Sequence, residues 1–154
     1  MFLARCSIMR ISTTRFGVLA VDVDDLFHFP RGVIGFEHCR QWVLLADPTN
    51  NAVGWLQSAD RPATALAVVS PRRFRQDYRV RVERSELTPL AMAENDRLYV
   101  LCVVGKQNGT CVMNLRAPIL INLDRRLGCQ VVTSDEQPLQ AELTDLPAQL
   151  RKSA

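Results

Sequence analysis

The sequence predicts an all-β protein, a compact antiparallel β-barrel or sandwich-like single domain with one short helix. Three observations carry this. Short apolar runs recur about every ten residues, each bounded by Asp, Pro, Asn or Gly, the signature of strands joined by tight turns. One stretch alternates strictly between apolar and charged residues, the period of a strand with one face in water. Between the runs lie turn-forming residues, and only one stretch has a composition that invites a helix.

In chain order, Trp42-Val-Leu-Leu-Ala46 is the first clear apolar run. Asp47-Pro-Thr-Asn-Asn51 follows as a turn that joins antiparallel neighbours. Thr64-Ala-Leu-Ala-Val-Val69 is another short run whose composition favours a strand buried on both faces. Asp77-Tyr-Arg-Val-Arg-Val-Glu83 reads as a half-buried strand, with Tyr78, Val80 and Val82 inward and Arg79, Arg81 and Glu83 outward. Ser85 to Asn95 is the helix candidate. Either Ser85 caps it, or Thr88 caps it with Pro89 at the first helical position. Leu98–Val104, Asn108-Gly109 and Thr110–Leu115 form a predicted hairpin, and Pro118-Ile-Leu-Ile121 a further strand. From Ser134 to Ala154 the chain is polar, carries Pro138 and Pro147, and reads as a loose tail with one terminal helical turn.

At 154 residues the chain is one domain's worth, with 47% hydrophobic and 23% charged residues, ordinary for a globular protein. No apolar run approaches the ~20 residues that span a bilayer. Met1-Phe-Leu-Ala-Arg-Cys-Ser-Ile8 is too short for a signal-peptide core and is interrupted by Arg5, so the expected location is the cytoplasm. Five cysteines, Cys6, Cys39, Cys102, Cys111 and Cys129, show neither a disulfide framework nor zinc-ligand spacing. Buried reduced thiols are expected, and a Cys102–Cys111 disulfide stays open because facing strands could bring the two together.

Chemistry-bearing constellations are sparse. Adjacent residues on a strand point to opposite faces, so Glu37, His38 and Cys39 do not converge in extended backbone. The sequence has no phosphate-binding glycine loop, no GxSxG and no HExxH. Catalysis and metal or cofactor binding are therefore not expected. The net charge is +3, but it is unevenly carried: all but Lys106 and Lys152 of the basic residues are arginine. Arg72, Arg73, Arg75, Arg79, Arg81 and Arg84 crowd into one stretch near Phe74 and Tyr78, while Asp22, Asp24 and Asp25 form an acidic group. Separate patches of both signs suit electrostatic steering of partners. The alternative is a direct RNA-binding β module using the Arg72–Arg84 strip. Against it, alternation puts Tyr78 opposite Arg79 and Arg81.

Four further segments stand in register: Phe29-Pro-Arg-Gly-Val-Ile-Gly-Phe-Glu37, Gly54-Trp-Leu-Gln-Ser58, Asn114-Leu-Arg-Ala-Pro-Ile-Leu-Ile-Asn122 and Gly128-Cys-Gln-Val-Val132. Together they resemble the flagellar assembly factor FliW family, from about Met9 to Val132. The resemblance makes Met9 to Gly17 the first strand, residues 1–8 an extension or an upstream start, and residues 9–133 the β domain. It implies a non-enzymatic protein that binds flagellin and, alternatively, the dimeric RNA-binding regulator CsrA, so that CsrA no longer represses flagellin translation. Neither a nucleic acid nor a membrane is an implied partner, and a monomer is expected. Since CsrA is basic where it grips RNA, Asp22, Asp24, Asp25 and Glu37 are candidate contacts. Phe29, Phe36, Gln57, Ser58, Asn114, Pro118 and Asn122 are the other candidates, Pro118 because proline is confined to sheet edges or bulges. The chain departs from the family pattern in three places. It has no aromatic in Leu66–Val69, is unusually basic over Arg72–Arg84, and lacks a tail tyrosine beyond Val132. These differences bear on flagellin specificity more than on fold.

Overall fold

The computed structural model describes residues 7–143. Its strands are β1 (Ile8–Thr13), β2 (Gly17–Asp22), β3 (Leu26–His28), β4 (Gln41–Ala46), β5 (Val53–Ser58), β6 (Ala65–Val69), β7 (Leu98–Gln107), β8 (Thr110–Met113), β9 (Ile119–Asn122), β10 (Leu127–Gln130) and β11 (Ala141–Glu142). Neighbours run in the order β11-β8-β7-β6-β5-β4-β3-β10-β9, and β9 returns to pair with β7. The last pairing closes a seven-stranded barrel, with β8 and β11 continuing the sheet outside it. A hairpin arm, β1–β2, forms a separate sheet. Closure leaves the seven barrel strands without a free end to their sheet, so the open edges lie at β11 and the arm.

Strand β7 organises the closure. On one side it meets β6 through Val68↔Val103 and Val69↔Cys102. On the other it meets β9 with its first half and β8 with its second. Strands β8 and β9 are thus one antiparallel partner, interrupted at residues 114–118. The β7–β8 turn is the expected one: Asn108 and Gly109 both have positive φ, 52° and 78°, and Gln107 faces Thr110. That is a type I′ turn, whose twist matches the strands.

Alternation sorts the side chains into layers. Inside the barrel, Phe27, Phe29, Trp42, Leu56, Val68, Leu101, Ile119 and Ile121 form one cluster. Outside it, Val53, Trp55, Ala67, Val69, Cys102, Val104 and Met113 form another. A third is capped by Leu90, and the arm packs Ile11 and Val21 onto Val43 of β4. The barrel strands read as apolar runs because the chain between β6 and β7 wraps their outer face.

Four finer expectations need correction. Residues 77–83 keep the anticipated burial, with Tyr78 inside and Arg79, Arg81 and Glu83 outside, but belong to no strand. The Arg81 carbonyl instead accepts from the Ser134 N–H at 2.7 Å and from its hydroxyl at 2.9 Å. The helix is a shorter 3₁₀ segment, Arg84–Leu90, led by Glu83 rather than capped by Ser85 or Thr88. It holds Pro89 inside and ends at Ala91 in left-handed geometry (φ 45°). The expected antiparallel barrel is formed, and among the described residues β3 and β10 are its one parallel pair, at Leu127↔His28. Residues 134–143 are not a loose tail: β11 pairs with β8, and Ala141 and Leu143 are buried in the outer cluster. The β domain opens at Ile8, paired with Asp22, and its first stretch is two strands, because the turn at Thr14–Phe16 separates β1 from β2. Residues 1–6 and the proposed terminal helical turn lie outside the described residues. Cys102 and Cys111 are buried thiols in one cluster, with no disulfide between them.

Candidate partner-recognition site

Three of the four motif segments converge at one end of the barrel. After β3 the chain winds tightly: Gly32 donates to the Phe29 carbonyl (2.9 Å), Phe36 to Val33 (2.7 Å) and Cys39 to Phe36 (3.0 Å). Gly32 has φ 65°, and a Cβ there would lie 2.6 Å from the Glu37 backbone, so only glycine fits. Phe29 is fully buried beside Trp42 at 6.2 Å between centroids. Its ring lies on Gly128, where a Cβ would come within 2.3 Å. The Trp42 indole donates to the Cys39 carbonyl at 2.9 Å. The 30–39 loop therefore stoppers the barrel.

Across from it, the Asn114 Oδ1 accepts from the backbone of Arg116 (3.0 Å) and Ala117 (3.1 Å), bending the chain between β8 and β9. Gln130 joins the two. Its Oε1 accepts from the Ile34 N–H at 2.8 Å, and its Nε2 donates to the Ala117 carbonyl at 2.9 Å. Both ends of the amide are used, so the loop and the kink are held at fixed spacing. A cleft of about 200 Å³ opens beside this clasp, lined by Phe36, Leu66, Val103 and Asn114 among others, with Ile34 on its rim and 57% exposed. Sequence reasoning missed both Ile34 and Gln130. The available signal for Gln130 was a lone amide inside the apolar Gly128–Val132 run.

The sequence-derived candidates fall into two groups. Asp24, Asp25 and Glu37 are exposed, while Asp22, Phe36 and Asn114 are partly covered. Asp22 accepts from the Asp24 N–H at 3.0 Å and opens a 3₁₀ turn, Val23–Asp25, between arm and barrel. The Gly35 N–H holds the Glu37 carboxyl below its ordinary range. The remainder are buried, which corrects their assignment as surface contacts. Phe29 is core. Gln57 donates to the carbonyls of Ser58 (3.0 Å) and Thr64 (3.1 Å), and Ser58 Oγ accepts from Asp60 and Arg61, so this pair shapes the β5–β6 turn. Pro118 is buried at the kink, where β8 gives way to the doubly paired β9, so it marks no free edge. Asn122 donates to the Leu90 carbonyl and to Asp96, and accepts from Asp124 and Arg125. The Asn122 amide is the main influence holding the Asp96 carboxyl low.

Features considered for other chemistries are dispersed. Glu37 and His38 are exposed whereas Cys39 is buried, and His28 Nδ1 accepts from Gln41 Nε2 at 2.9 Å. Burial pushes the Cys102 thiol to about 12 and the Cys129 thiol to about 11, the reverse of a reactive thiolate. Among the described residues no three His, Cys, Asp or Glu side chains are grouped to hold a metal. The arginine strip is divided. Arg72 and Arg75 bond backbone carbonyls and Arg73 bonds Asn51; Arg72 and Arg73 are nonetheless exposed, as are Arg79, Arg81 and Arg84. Tyr78 is buried with its hydroxyl on the Leu115 carbonyl at 2.6 Å, so it offers no stacking face.

Fold and site together define a small closed-barrel scaffold, stoppered at one end by its own motif loop. The sequence model of the FliW protein family matches residues 10–143, and the chain belongs to that family. It is 33% identical over 129 residues to the flagellar assembly factor FliW of Bdellovibrio bacteriovorus, covering 82% of this chain and 74% of that one. It is 33% identical over 131 residues to the factor of the same name from Syntrophus aciditrophicus, covering 84% and 83%. The match to that of Moorella thermoacetica is 35% over 127 residues, 80% of each. A crystal structure of the flagellar assembly factor FliW superposes with a TM-score of 0.78 at 24% identity, covering 92% of this chain and 99% of that one, which shows the shared fold. The relatives are named for assembly rather than for a reaction. Among the described residues no helix is long and apolar enough to cross a membrane.

Proposed function

We propose that this protein is a non-catalytic cytoplasmic adaptor that binds flagellin and, in alternation, the translational regulator CsrA, so that the flagellin level decides how much CsrA is free to repress flagellin mRNA. Two partners competing for a limiting scaffold shift each other's occupancy by mass action, without any chemical step. The observation that carries this reading is the Gln130 clasp: in a chain of the FliW family, it fixes an apolar rim at Ile34 beside the exposed carboxylate of Glu37. A pre-set rim binds without the entropy cost of ordering a loop. Exposed Asp24 and Asp25 add negative charge suited to a basic partner.

Calorimetric titration of the full chain with the CsrA and the flagellin of its own organism tests the proposal. Saturable heat with each, and displacement of one by the other, is the expected result. No heat with either, from folded monodisperse protein, overturns it. Salt-sensitive binding of flagellin mRNA instead would transfer the function to the arginine strip.

A further inference from the structure

The opposite end of the barrel is open. Gly54 sits within β5, paired regularly with Ala46 and Val68, at no bulge and without left-handed geometry. A glycine inside a strand costs stability and otherwise marks close approach of something to the backbone. Alternation points its missing side chain toward the interior, on the face of Leu56. A Cβ there would stand only 3.4 Å from Leu44 Cδ1 and 3.5 Å from Val68 Cγ2, which is ordinary packing. Backbone strain therefore does not demand glycine; the absent side chain leaves space.

Beside it a cleft of about 340 Å³ opens at the barrel mouth, walled by Leu44, Val68, Leu101 and Tyr99, with Ser70 and Arg73 at its edge. The volume lies at the lower end of the range for small-molecule sites, and barrel mouths are a common place for them. The Arg73 guanidinium is exposed, and one of its nitrogens is held by the Asn51 Oδ1 at 3.1 Å. Ser70 precedes the 3₁₀ turn Pro71–Arg73, yet its side chain makes no capping hydrogen bond. The edge thus presents side-chain donors around a slot of mixed polarity whose side-chain walls include Leu44, Val68 and Leu101.

We infer that this mouth binds a small amphipathic carboxylate, with a medium-length apolar tail in the slot over Gly54 and its anionic head on Arg73 and Ser70. A carboxylate only accepts hydrogen bonds and so matches these donors. The cleft, at about 340 Å³, holds one short chain and its head group. The site lies at the other end of the barrel from the motif loop and stands independently of the proposed partners.

The test is titration of the ¹⁵N-labelled full chain with sodium octanoate, followed by amide shifts. Saturable shifts at Gly54, Val68 and Leu101 are expected, with octan-1-ol at least about tenfold weaker because it lacks the charge. Arg73→Gln, an exposed change that spares the fold, should bring octanoate down to the level of octanol, and Gly54→Val should abolish binding by filling the slot. No saturation at millimolar octanoate, shifts elsewhere, or an unaffected Arg73→Gln protein would overturn the site. A peptide with a free C-terminal leucine that binds more tightly than octanoate, at the same amides, would overturn the small-molecule assignment.

Discussion

At the end of the barrel that receives the 30–39 loop, the space is filled: Phe29 is fully buried on Gly128, and Gly32 is pressed against the Glu37 backbone. Trp42, Asn114 and Gln130 spend their polar atoms binding that loop and the kink to the wall. At the other end the β4–β5 turn stands beside an open cleft, and a Cβ at Gly54 would meet its neighbours at ordinary contact distance. Glycine occurs at both ends for opposite reasons. At Gly32 and Gly128 a methyl group has nowhere to go, whereas at Gly54 it would touch neighbours at normal distance. The same residue type thus records a forbidden methyl at one end and a tolerated one at the other, and only the contacts tell which.

The largest expected effect comes from forcing a methyl group into the packed end. Gly128→Ala drives a Cβ into the immobile Phe29 ring and should destabilise the protein by about 3 kcal/mol, at the upper end for overpacking. Urea denaturation followed by tryptophan fluorescence measures this. An unchanged midpoint would mean that the stopper is loose and that the two ends do not differ as described.

The open end owes its order to Asp47, whose carboxylate accepts from the Trp55 indole (2.8 Å), the Thr49 N–H and hydroxyl, and the Asn50 N–H. Partial burial works against the charge, yet these bonds prevail and hold its pKa below the usual aspartate value. A lowered folded pKa gives stability that is present above the unfolded value, near 3.8, and lost as pH falls through the folded one. Asp47→Asn should cost about 2 kcal/mol at neutral pH, since it turns an acceptor of four bonds partly into a donor. Its penalty should shrink as pH falls below about 3.8 and vanish only below the lower folded pKa, where the native side chain also loses its charge. A penalty independent of pH would remove the carboxylate from that role.

Much of this architecture was legible in the chain. The apolar runs became β4, β6, β7 and β9, and Asn108-Gly109 specified its own turn, because both signals are local. The exposed Asp24, Asp25 and Glu37 were also readable, since charges without nearby partners seldom go inside. Polar residues at the motif ends misled for one physical reason: Gln57, Ser58 and Asn122 are buried to satisfy backbone groups at turns, and a sequence does not show which carbonyl a side chain will find. Strand β11 was hidden because two residues carry no period, and its place depends on β8 lying alongside. The Gln130 clasp joins Ile34 to Ala117 across long sequence separations, which no local pattern encodes.

That clasp provides a finer test of the packed end. Gln130→Ala removes two hydrogen bonds from a partly buried site and should cost about 1 to 2 kcal/mol. Hydrogen exchange at the Ile34 amide should accelerate, because its acceptor is gone, while exchange at Leu56 inside the barrel changes little. If the two amides accelerate together, the clasp supports the whole barrel rather than only the loop it holds.

The smallest effect has the opposite sign. Gly54→Ala adds a methyl at 3.4 Å from its neighbours, a contact that needs no rearrangement. It also removes the extra backbone freedom that glycine loses on folding, so the variant should gain roughly 0.5 to 1 kcal/mol. Thermal melts of Gly54→Ala and Gly128→Ala should therefore move apart, one upward and one downward, for the same single methyl group. A destabilised Gly54→Ala would place the Leu44 and Val68 walls in firm contact over that position, and the mouth would then be closed packing rather than a vacancy.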